Sequence, residues 1–264
     1  MNVNQNLISK NFPIGSQTSL SDKKIILNIV ALIKRNNYFF NYLEIGSYLG
    51  GSLCPFLLEN RCKLIVSIDK RNQAQDDERS EVWCYKKIRE SDMLKKLKQH
   101  NLDTAKLKTF DGDVKNFKTT KKFDVAFIDG IHTDINTFSD FLNTLKIIKK
   151  HSIVMFHDSS IIFKSINLIN LLLMNMNRKF KLAKFQKSEI TGIFFGKFSK
   201  LNLNTTIAQV EDFNKFSNVA AENLLLAQIN NRIKIDFRIS KFFKGKSPYK
   251  LSLKKKEKKI STDF

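Results

Sequence analysis

The segment that decides the fold is Tyr42-Leu-Glu-Ile-Gly-Ser-Tyr-Leu-Gly-Gly-Ser52, which is followed by Leu64-Ile-Val-Ser-Ile-Asp69. Each begins with an apolar run typical of a buried strand. The first run ends in an acid and a turn with glycines at 46, 50 and 51, and the second ends in Asp69. Such a turn lets the backbone approach a ligand closely, and an acid ending the next strand can hold a ribose. The segment therefore predicts a nucleotide-cofactor site at the carboxyl edge of a parallel sheet.

Apolar, strand-like runs alternate with helical periods from residue 42 to about 150, which predicts an α/β fold. The expected fold is a Rossmann-like, mostly parallel seven-stranded sheet with helices on both faces and a C-terminal antiparallel hairpin. Strands are predicted at 42–45, 64–68, 106–110, 123–128, 152–156, 182–185 and 190–195, and helices at about 20–35, 52–60, 91–99, 161–177 and 207–230. A further helix is expected after Asp134, with Asp134 as its N-cap, and Ser21 is expected to cap the first helix.

The length of 264 residues suits one domain over residues 1–200 and a partly helical extension over 201–264, with a disordered basic tail from about 241. The net charge of +21 attracts polyanions, so a nucleic-acid surface is one interpretation. The other is composition drift, because Lys, Asn, Ile and Phe are abundant while Gly, Ala and Pro are scarce. We favour the drift. Nucleic acid is then not an expected partner, and the tail is expected to make at most weak contact with anionic membrane surfaces.

The cysteines and the N-terminus predict a cytoplasmic protein. The three cysteines, at 54, 62 and 84, have no metal-ligand spacing and are odd in number, which is typical of reduced thiols. The first residues lack a basic segment followed by an apolar core, so no signal peptide is expected. The apolar-rich stretch 161–176 is interrupted by Lys164 and three asparagines and falls short of the ~20 residues that a membrane span needs.

A second group of polar residues follows the fourth and fifth predicted strands. Asp129 ends one strand and Asp158 ends the other, and neighbouring parallel strands lie ~4.8 Å apart. The two carboxylates should converge at the edge that carries the glycine turn, where they suit a divalent cation such as Mg²⁺. His132, three residues after Asp129, could reach a substrate hydroxyl as a general base. The alternatives are a structural histidine in this loop and a site that works without metal.

These motifs, in this order and spacing, resemble a family of bacterial class I S-adenosylmethionine (SAM)-dependent methyltransferases. The family includes the macrolide-sugar O-methyltransferases and the cephalosporin-hydroxylase-like proteins. The resemblance covers roughly residues 20–198. It rests on Glu44-Ile-Gly-Ser-Tyr-Leu-Gly-Gly-Ser52, Ile68-Asp69, Gly112-Asp113, Phe127-Ile-Asp-Gly-Ile-His132, Phe156-His-Asp158 and Thr191-Gly-Ile193.

The resemblance implies a role for each matching residue. The residues expected around the methionine part of SAM are Glu44, Gly46, Ser47, Gly50 and Ser52. Asp69 would hold both ribose hydroxyls, and Asp113 would face the adenine amino group, with Asp111 as the alternative contact. Asp129 and Asp158 would bind the metal, with His157 as a third ligand, a supporting group or a substrate contact, and His132 would be the base. The family usually has Tyr where this chain has Asp134, which bears on the substrate pocket.

The function that the resemblance implies is a SAM-dependent O-methyltransferase, assisted by Mg²⁺ or a similar cation. Its acceptor would be the hydroxyl of a small molecule such as a sugar or glycan unit, and the chain could form a homo-oligomer. One alternative is an RNA methyltransferase that uses the basic tail. The other is a non-catalytic SAM-binding scaffold.

Overall fold

The computed structural model describes residues 3–36, 39–71, 74–84 and 88–242. Its strands are β1 Phe40–Ile45, β2 Cys62–Asp69, β3 Ala74–Asp76, β4 Val82–Cys84, β5 Leu107–Asp111, β6 Phe123–Ile128, β7 Ile148–Phe156, β8 Phe180–Phe185, β9 Thr191–Phe195 and β10 Val210–Glu211. Its helices are α1 Gln5–Asn11, α2 Leu20–Asn36, α3 Cys54–Leu57, α4 Glu90–Gln99, α5 Asp134–Ile147, α6 Phe163–Asn175, α7 Leu203–Thr206 and α8 Phe213–Phe242.

Eight of these strands form one twisted sheet in the order β10-β8-β9-β7-β6-β1-β2-β5. The five strands from β7 to β5 are parallel, and β8 and β9 form an antiparallel hairpin beside β7. The predicted Rossmann-like sheet with its C-terminal hairpin is therefore confirmed. The seven predicted strands are joined by the two-residue edge strand β10, and β3 and β4 form a separate small hairpin.

The strands at the centre of the sheet are mostly apolar because both faces are covered by helices. All six residues of β6 are buried. Along β1, Tyr42 belongs to the core under α2, α3 and α4, whereas Leu43 belongs to the core under α5 and α6. Successive side chains of a strand point to opposite faces, so one short run supplies both cores.

Two helix starts differ from the predicted ones. Ser21 is not the cap of α2, because Ser19 and Asp22 exchange hydrogen bonds as a capping box: the Ser19 N–H donates to Asp22 (2.8 Å) and the Asp22 N–H to the Ser19 hydroxyl (3.1 Å). Asp134 is not the cap of α5 either. Thr133 has the extended backbone of an N-cap and accepts the Asn136 N–H (3.3 Å), which leaves Asp134 as the first helical residue.

Other boundaries differ as well. The helix predicted at 52–60 is limited to α3, four residues flanked by turns. The helix predicted from 207 begins only at Phe213, since Asp212 accepts the Lys215 N–H (2.8 Å) and the residues before it form β10. Helix α8 then extends to Phe242, and the remainder of the predicted basic tail lies outside the described residues.

No helix within the described ranges has the length and apolar character that crossing a bilayer requires.

Candidate active site

The glycine turn after β1 brings three strand ends together. The Gly46 N–H donates to the Ile68 carbonyl, and the Asp129 N–H donates to the Ile45 carbonyl, both at 2.8 Å. Gly46 has a φ of +88°, and a β-carbon there would overlap the Asp129 carbonyl group. Only glycine meets both conditions, because its missing side chain permits the left-handed backbone and the close approach.

A cleft lies beside this turn, between the carboxyl ends of β1, β2, β5 and β6. Its volume is about 70 Å³. Three of the predicted cofactor residues line it: Gly46, Asp69 and Asp113. Asp129 also lines the cleft, whereas Glu44, Ser47, Gly50 and Ser52 are not among its lining residues. The alternative adenine contact, Asp111, is likewise absent from the lining. The cleft also contains Tyr48, Arg71 and Asp140, for which the sequence predicted no role.

Asp69 presents one carboxylate oxygen to the turn. Its Oδ2 accepts the Tyr48 N–H (2.6 Å) and lies 3.7 Å from the Arg71 guanidinium. Burial raises the pKa of Asp69, although the Arg71 charge and the Tyr48 N–H oppose this rise. Within the described ranges no hydrogen bond reaches Asp69 Oδ1, so that oxygen can bind a ligand in the cleft. Asp113 is more exposed and lies 3.6 Å from the Lys70 ammonium.

Three of the predicted cofactor residues, Glu44, Ser47 and Ser52, form hydrogen bonds within the protein at the glycine turn. Glu44 is fully buried, and its carboxyl group accepts hydrogen bonds from the Tyr42 hydroxyl (2.5 Å) and the Ser52 hydroxyl (2.6 Å). The Ser47 hydroxyl bonds with Ser67 and accepts from Arg71 (3.0 Å). Burial raises the pKa of Glu44 to about 8, so its carboxyl group is largely protonated at neutral pH. The predicted contact of these residues with SAM remains a prediction.

The protonated state of Glu44 predicts a pH-dependent stability. Its pKa is about 8 in the folded protein against an ordinary value of 4.5. The folded state holds the proton more tightly, so this stabilisation is fully present below pH 4.5 and is lost as pH rises through 8. Glu44→Gln keeps a donor and an acceptor without the titration. We expect its unfolding midpoint in urea to fall less than that of the wild type between pH 5 and 9.

The matched control for this experiment is Glu222→Gln, which removes an exposed carboxyl group on α8. Its stability should follow the wild-type curve. Parallel curves for Glu44→Gln and the wild type would show that Glu44 does not titrate in this range.

The second predicted cluster also forms at this edge. His132 Nε2 lies 3.0 Å from Asp158 Oδ2 and 3.5 Å from Asp129 Oδ1. One ligand atom from each of these three residues lies within 4.8 Å of the other two. Asp158 has a φ of +50°, a left-handed conformation that aspartate tolerates better than most side chains. The turn that follows β7 therefore fixes the direction of this carboxylate.

His157 lies behind the two carboxylates. Its Nδ1 is 3.2 Å from both Asp129 Oδ1 and Asp158 Oδ2, and its Nε2 is 3.4 Å from Asp22 Oδ2. His157 is only 6% exposed. Both ring nitrogens thus face carboxylates, and His132 rather than His157 completes the three-residue cluster with Asp129 and Asp158.

The charges of this cluster are strongly coupled. Burial lowers the pKa of His132, but the charges of Asp158 and Asp129 outweigh burial and raise it above its usual value. The same balance, with Asp129 as the largest opposing charge, raises the pKa of His157 well above its usual value. Burial would raise the pKa of Asp158, yet the two histidines hold it well below its usual range. The two imidazoles and the three carboxylates of Asp22, Asp129 and Asp158 therefore stabilise one another's charged forms.

Asp22 is a buried member of this cluster that the sequence did not reveal. It accepts hydrogen bonds from the Ser188 hydroxyl (2.6 Å) and the Glu189 N–H (2.9 Å). The hydrogen bond and charge of His157, with the hydroxyls of Ser188 and Ser19, outweigh burial and keep the pKa of Asp22 well below the usual range. The only sequence signal at Asp22 is its place three residues after Ser19, which indicates a helix start and not a site.

The turn between β3 and β4 holds the loop that carries His132. The Glu78 N–H donates to the His132 carbonyl (3.1 Å), and the Glu78 carboxylate accepts the Asp134 N–H (2.7 Å). From α8, Gln228 donates to the Glu78 carbonyl and Asn231 to the Arg79 carbonyl, both at 2.7 Å. The C-terminal extension therefore supports the candidate active site.

A Rossmann-like sheet with a glycine turn after β1, Asp69 at the end of β2 and Asp113 after β5 around one cleft is typical of enzymes that bind a nucleotide cofactor. Residues 43–159 match the family model described as a methyltransferase domain. Over this segment, which extends from β1 to the residues after β7, the chain is similar to methyltransferase domains.

The chain is similar to solved structures of methyltransferases. The O-methyltransferase NovP is 13% identical, with a TM-score of 0.52 over 71% of this chain and 86% of that chain. The O-methyltransferase TomG from Streptomyces achromogenes, solved with SAM, is 13% identical, with a TM-score of 0.47 over 71% and 86%. At this identity the likeness to NovP shows the fold alone. The sequence matches no curated protein.

Proposed function

We propose that the protein is an O-methyltransferase assisted by a divalent cation, with a hydroxyl of a small polar molecule such as a sugar or glycan unit as acceptor. The observation that carries the proposal is that Asp129 belongs to both sites. It lines the cofactor cleft and lies 3.5 Å from His132 in the carboxylate–histidine cluster. A proton-accepting group therefore adjoins the cofactor. The sugar class rests on the family resemblance.

The cleft would hold SAM through its acids and its backbone. Asp69 would accept hydrogen bonds from the ribose hydroxyls, Asp113 would face the adenine amino group, and the turn at Gly46 would lie against the methionine part. Methyl transfer is an in-line displacement at carbon. The chain must therefore align the acceptor oxygen with the methyl group, and such alignment can contribute up to ~7–11 kcal/mol.

The donor set at the second cluster fits a divalent cation. Asp129 and Asp158 offer hard oxygens, with His132 in the same group of three and all donor atoms within 4.8 Å. Because both nitrogens of His157 face carboxylates, we propose that His157 orients the ligands instead of binding the metal. A bound cation would lower the pKa of the acceptor hydroxyl and orient it.

His132 is the proposed general base. The acceptor O–H bond breaks and its proton passes to the imidazole, while the oxygen takes the methyl group and the sulfonium leaves as neutral S-adenosylhomocysteine (SAH). The carboxylates of Asp129 and Asp158 stabilise the imidazolium that forms. The hydrogen bond from Glu78 to the His132 carbonyl limits movement of the loop during this step.

The location that we propose is the cytoplasm. Cys54 and Cys62 are buried free thiols, and the side chain of Cys84 lies outside the described residues. Unpaired thiols are typical of a reducing compartment.

The direct test is transfer of a labelled methyl group from SAM, with Mg²⁺ present, to a panel of sugars and glycan fragments. We expect label on a hydroxyl of at least one acceptor and none on the matching deoxy compound. Label on amines or on RNA, with all hydroxyl acceptors silent, would contradict the proposed acceptor class.

The cofactor site has its own test. Asp69→Ala should weaken SAH binding about tenfold or more, because lost hydrogen bonds to a carboxylate cost roughly 1.5–3 kcal/mol. Titration calorimetry measures the affinity, and Asp103→Ala, at an exposed aspartate outside the cleft, is the matched control. Unchanged affinity in folded Asp69→Ala protein would remove Asp69 from the site.

A further inference from the structure

A second and larger cavity, of about 570 Å³, lies at the opposite edge of the sheet. It is formed by the start of β7, the residues before β8 and the residues after β9. Six basic side chains line it together with His151, and none of the described lining residues carries a carboxylate. The six are Lys149, Lys150, Arg178, Lys179, Lys197 and Lys200.

This basic cavity is separate from the active site. Strand β7 runs from one to the other, with His151 at the cavity and His157 at the catalytic cluster. Six residues of extended chain at ~3.3 Å each place these positions roughly 20 Å apart. A small ligand in the basic cavity cannot reach the cofactor cleft.

Most of the cations that line the basic cavity form no ion pair with the residues that the structure describes. Lys149 lies 2.8 Å from the Asp124 carboxylate, and the Lys197 ammonium donates to the Asn36 carbonyl (3.0 Å). The other four cations are in no ion pair among the described residues. Four such cations in one concavity repel one another, so a bound anion would relieve the repulsion.

The cavity wall is ordered. His151 Nδ1 accepts the Lys197 N–H (3.1 Å), which leaves the ring proton on Nε2 as a donor. Gly196 has a φ of +59°, and a β-carbon there would overlap the His151 ring. The Arg178 guanidinium lies 5.8 Å from the centre of the Phe195 ring, a cation–π contact that limits its movement. These contacts restrict the imidazole and the guanidinium before a ligand binds.

We propose that this basic cavity binds a ligand that carries two or more phosphate groups. The planar guanidinium of Arg178 can donate two parallel hydrogen bonds to phosphate oxygens. The four cations without an ion pair carry more positive charge than a single carboxylate could neutralise, so a ligand with several negative charges fits the cavity better. The volume lies in the range of small-molecule pockets, and a concave site suits a compact diphosphate. A soluble diphosphate and a lipid-linked one offer the same chemistry. The proposed site is independent of methyl transfer.

Titration calorimetry with inorganic pyrophosphate, on the full chain in ~0.15 M salt, tests the proposal. The cavity variant is Lys150→Glu with Arg178→Glu. The control is Lys24→Glu with Lys95→Glu, which makes the same change in net charge at exposed residues outside the cavity. We expect the cavity variant to lose at least tenfold in affinity and the control to stay within about twofold, with SAH affinity unchanged in both.

Cosedimentation with vesicles separates the two sources of the phosphate. Retention on phosphatidic acid vesicles that pyrophosphate reverses and that the cavity variant loses supports a lipid-linked ligand. Pyrophosphate binding without vesicle retention supports a soluble one. Equal loss in cavity and control variants would overturn the proposal, because the net charge alone would then explain binding. Absence of pyrophosphate binding to the wild type, or cavity variants that lose affinity only for single-stranded RNA, would also overturn it.

Discussion

Asp158→Asn is expected to lower methyl transfer by ~10²-fold or more while SAH affinity stays within about twofold. The Asp158 carboxylate lies 3.0 Å from His132 and 3.2 Å from His157, and it does not line the cofactor cleft. Asparagine keeps the size and one oxygen but removes the charge that the proposed cation and the His132 imidazolium require. The loss should therefore appear in turnover and not in cofactor binding.

Two measurements check this result. Initial rates with saturating SAM give the turnover of Asp158→Asn, and calorimetry with SAH shows whether its cofactor site is intact. Asp103→Asn makes the same change at an exposed position and should match the wild type in both.

A chelator should inhibit the wild type, and added Mg²⁺ should restore it. Full wild-type activity in excess chelator would defeat the metal role and reassign the carboxylates to substrate or cofactor hydrogen bonding.

Asp129→Asn should cause a similar loss of turnover, but its effect on SAH binding is less cleanly separated. Asp129 lines the cleft, and its backbone packs against Gly46. Because Asp129 belongs to the cofactor cleft as well as to the cluster with His132, we expect a moderate change in SAH affinity. Asp158 is for this reason the sharper variant, although the two carboxylates are equivalent in the sequence pattern.

The sheet and the location of the site were predictable because they depend on local signals. The run 123–128 matches β6 residue for residue, since a strand buried on both faces is mostly apolar, and within this run only Asp124 is polar. The glycine turn was visible because only glycine permits the backbone at Gly46. The ends of parallel strands meet at one edge, so the sequence also predicted that Asp129 and Asp158 would converge.

The residues that hold the active-site side chains in place could not be predicted from the sequence, because they contact the site from segments that are distant along the chain. Asp22 meets His157 across 135 residues, and Gln228 meets Glu78 across 150. Neither contact leaves a periodic or spaced pattern in the chain. The predicted N-caps of α2 and α5 were wrong by one or two residues. Ser21 and Asp134 are residue types that cap helices well, but Ser19, two residues before Ser21, and Thr133, one residue before Asp134, make the capping hydrogen bonds.

His132→Ala is expected to lower turnover by ~10²–10⁴-fold, the usual contribution of a general base. His132 lies between Asp129 and Asp158, which raise its pKa. A base loses its function when protonated, so wild-type activity should fall as pH decreases through that pKa. The variant should lack this acidic limb in a pH profile of kcat/KM. His100→Ala, at an exposed histidine that ends α4, is the matched control and should keep both turnover and the limb.

The same variant distinguishes a base from a metal ligand. If His132 only binds the cation, His132→Ala weakens metal affinity and a high Mg²⁺ concentration restores turnover. If His132 accepts the proton, turnover stays low at every Mg²⁺ concentration. Among the described residues, His157 is the other imidazole in this cluster, and its two ring nitrogens face Asp22, Asp129 and Asp158 instead of the acceptor. We expect the second result. Full rescue by Mg²⁺ would make His132 the third metal ligand and leave the proton to one of the carboxylates or to solvent.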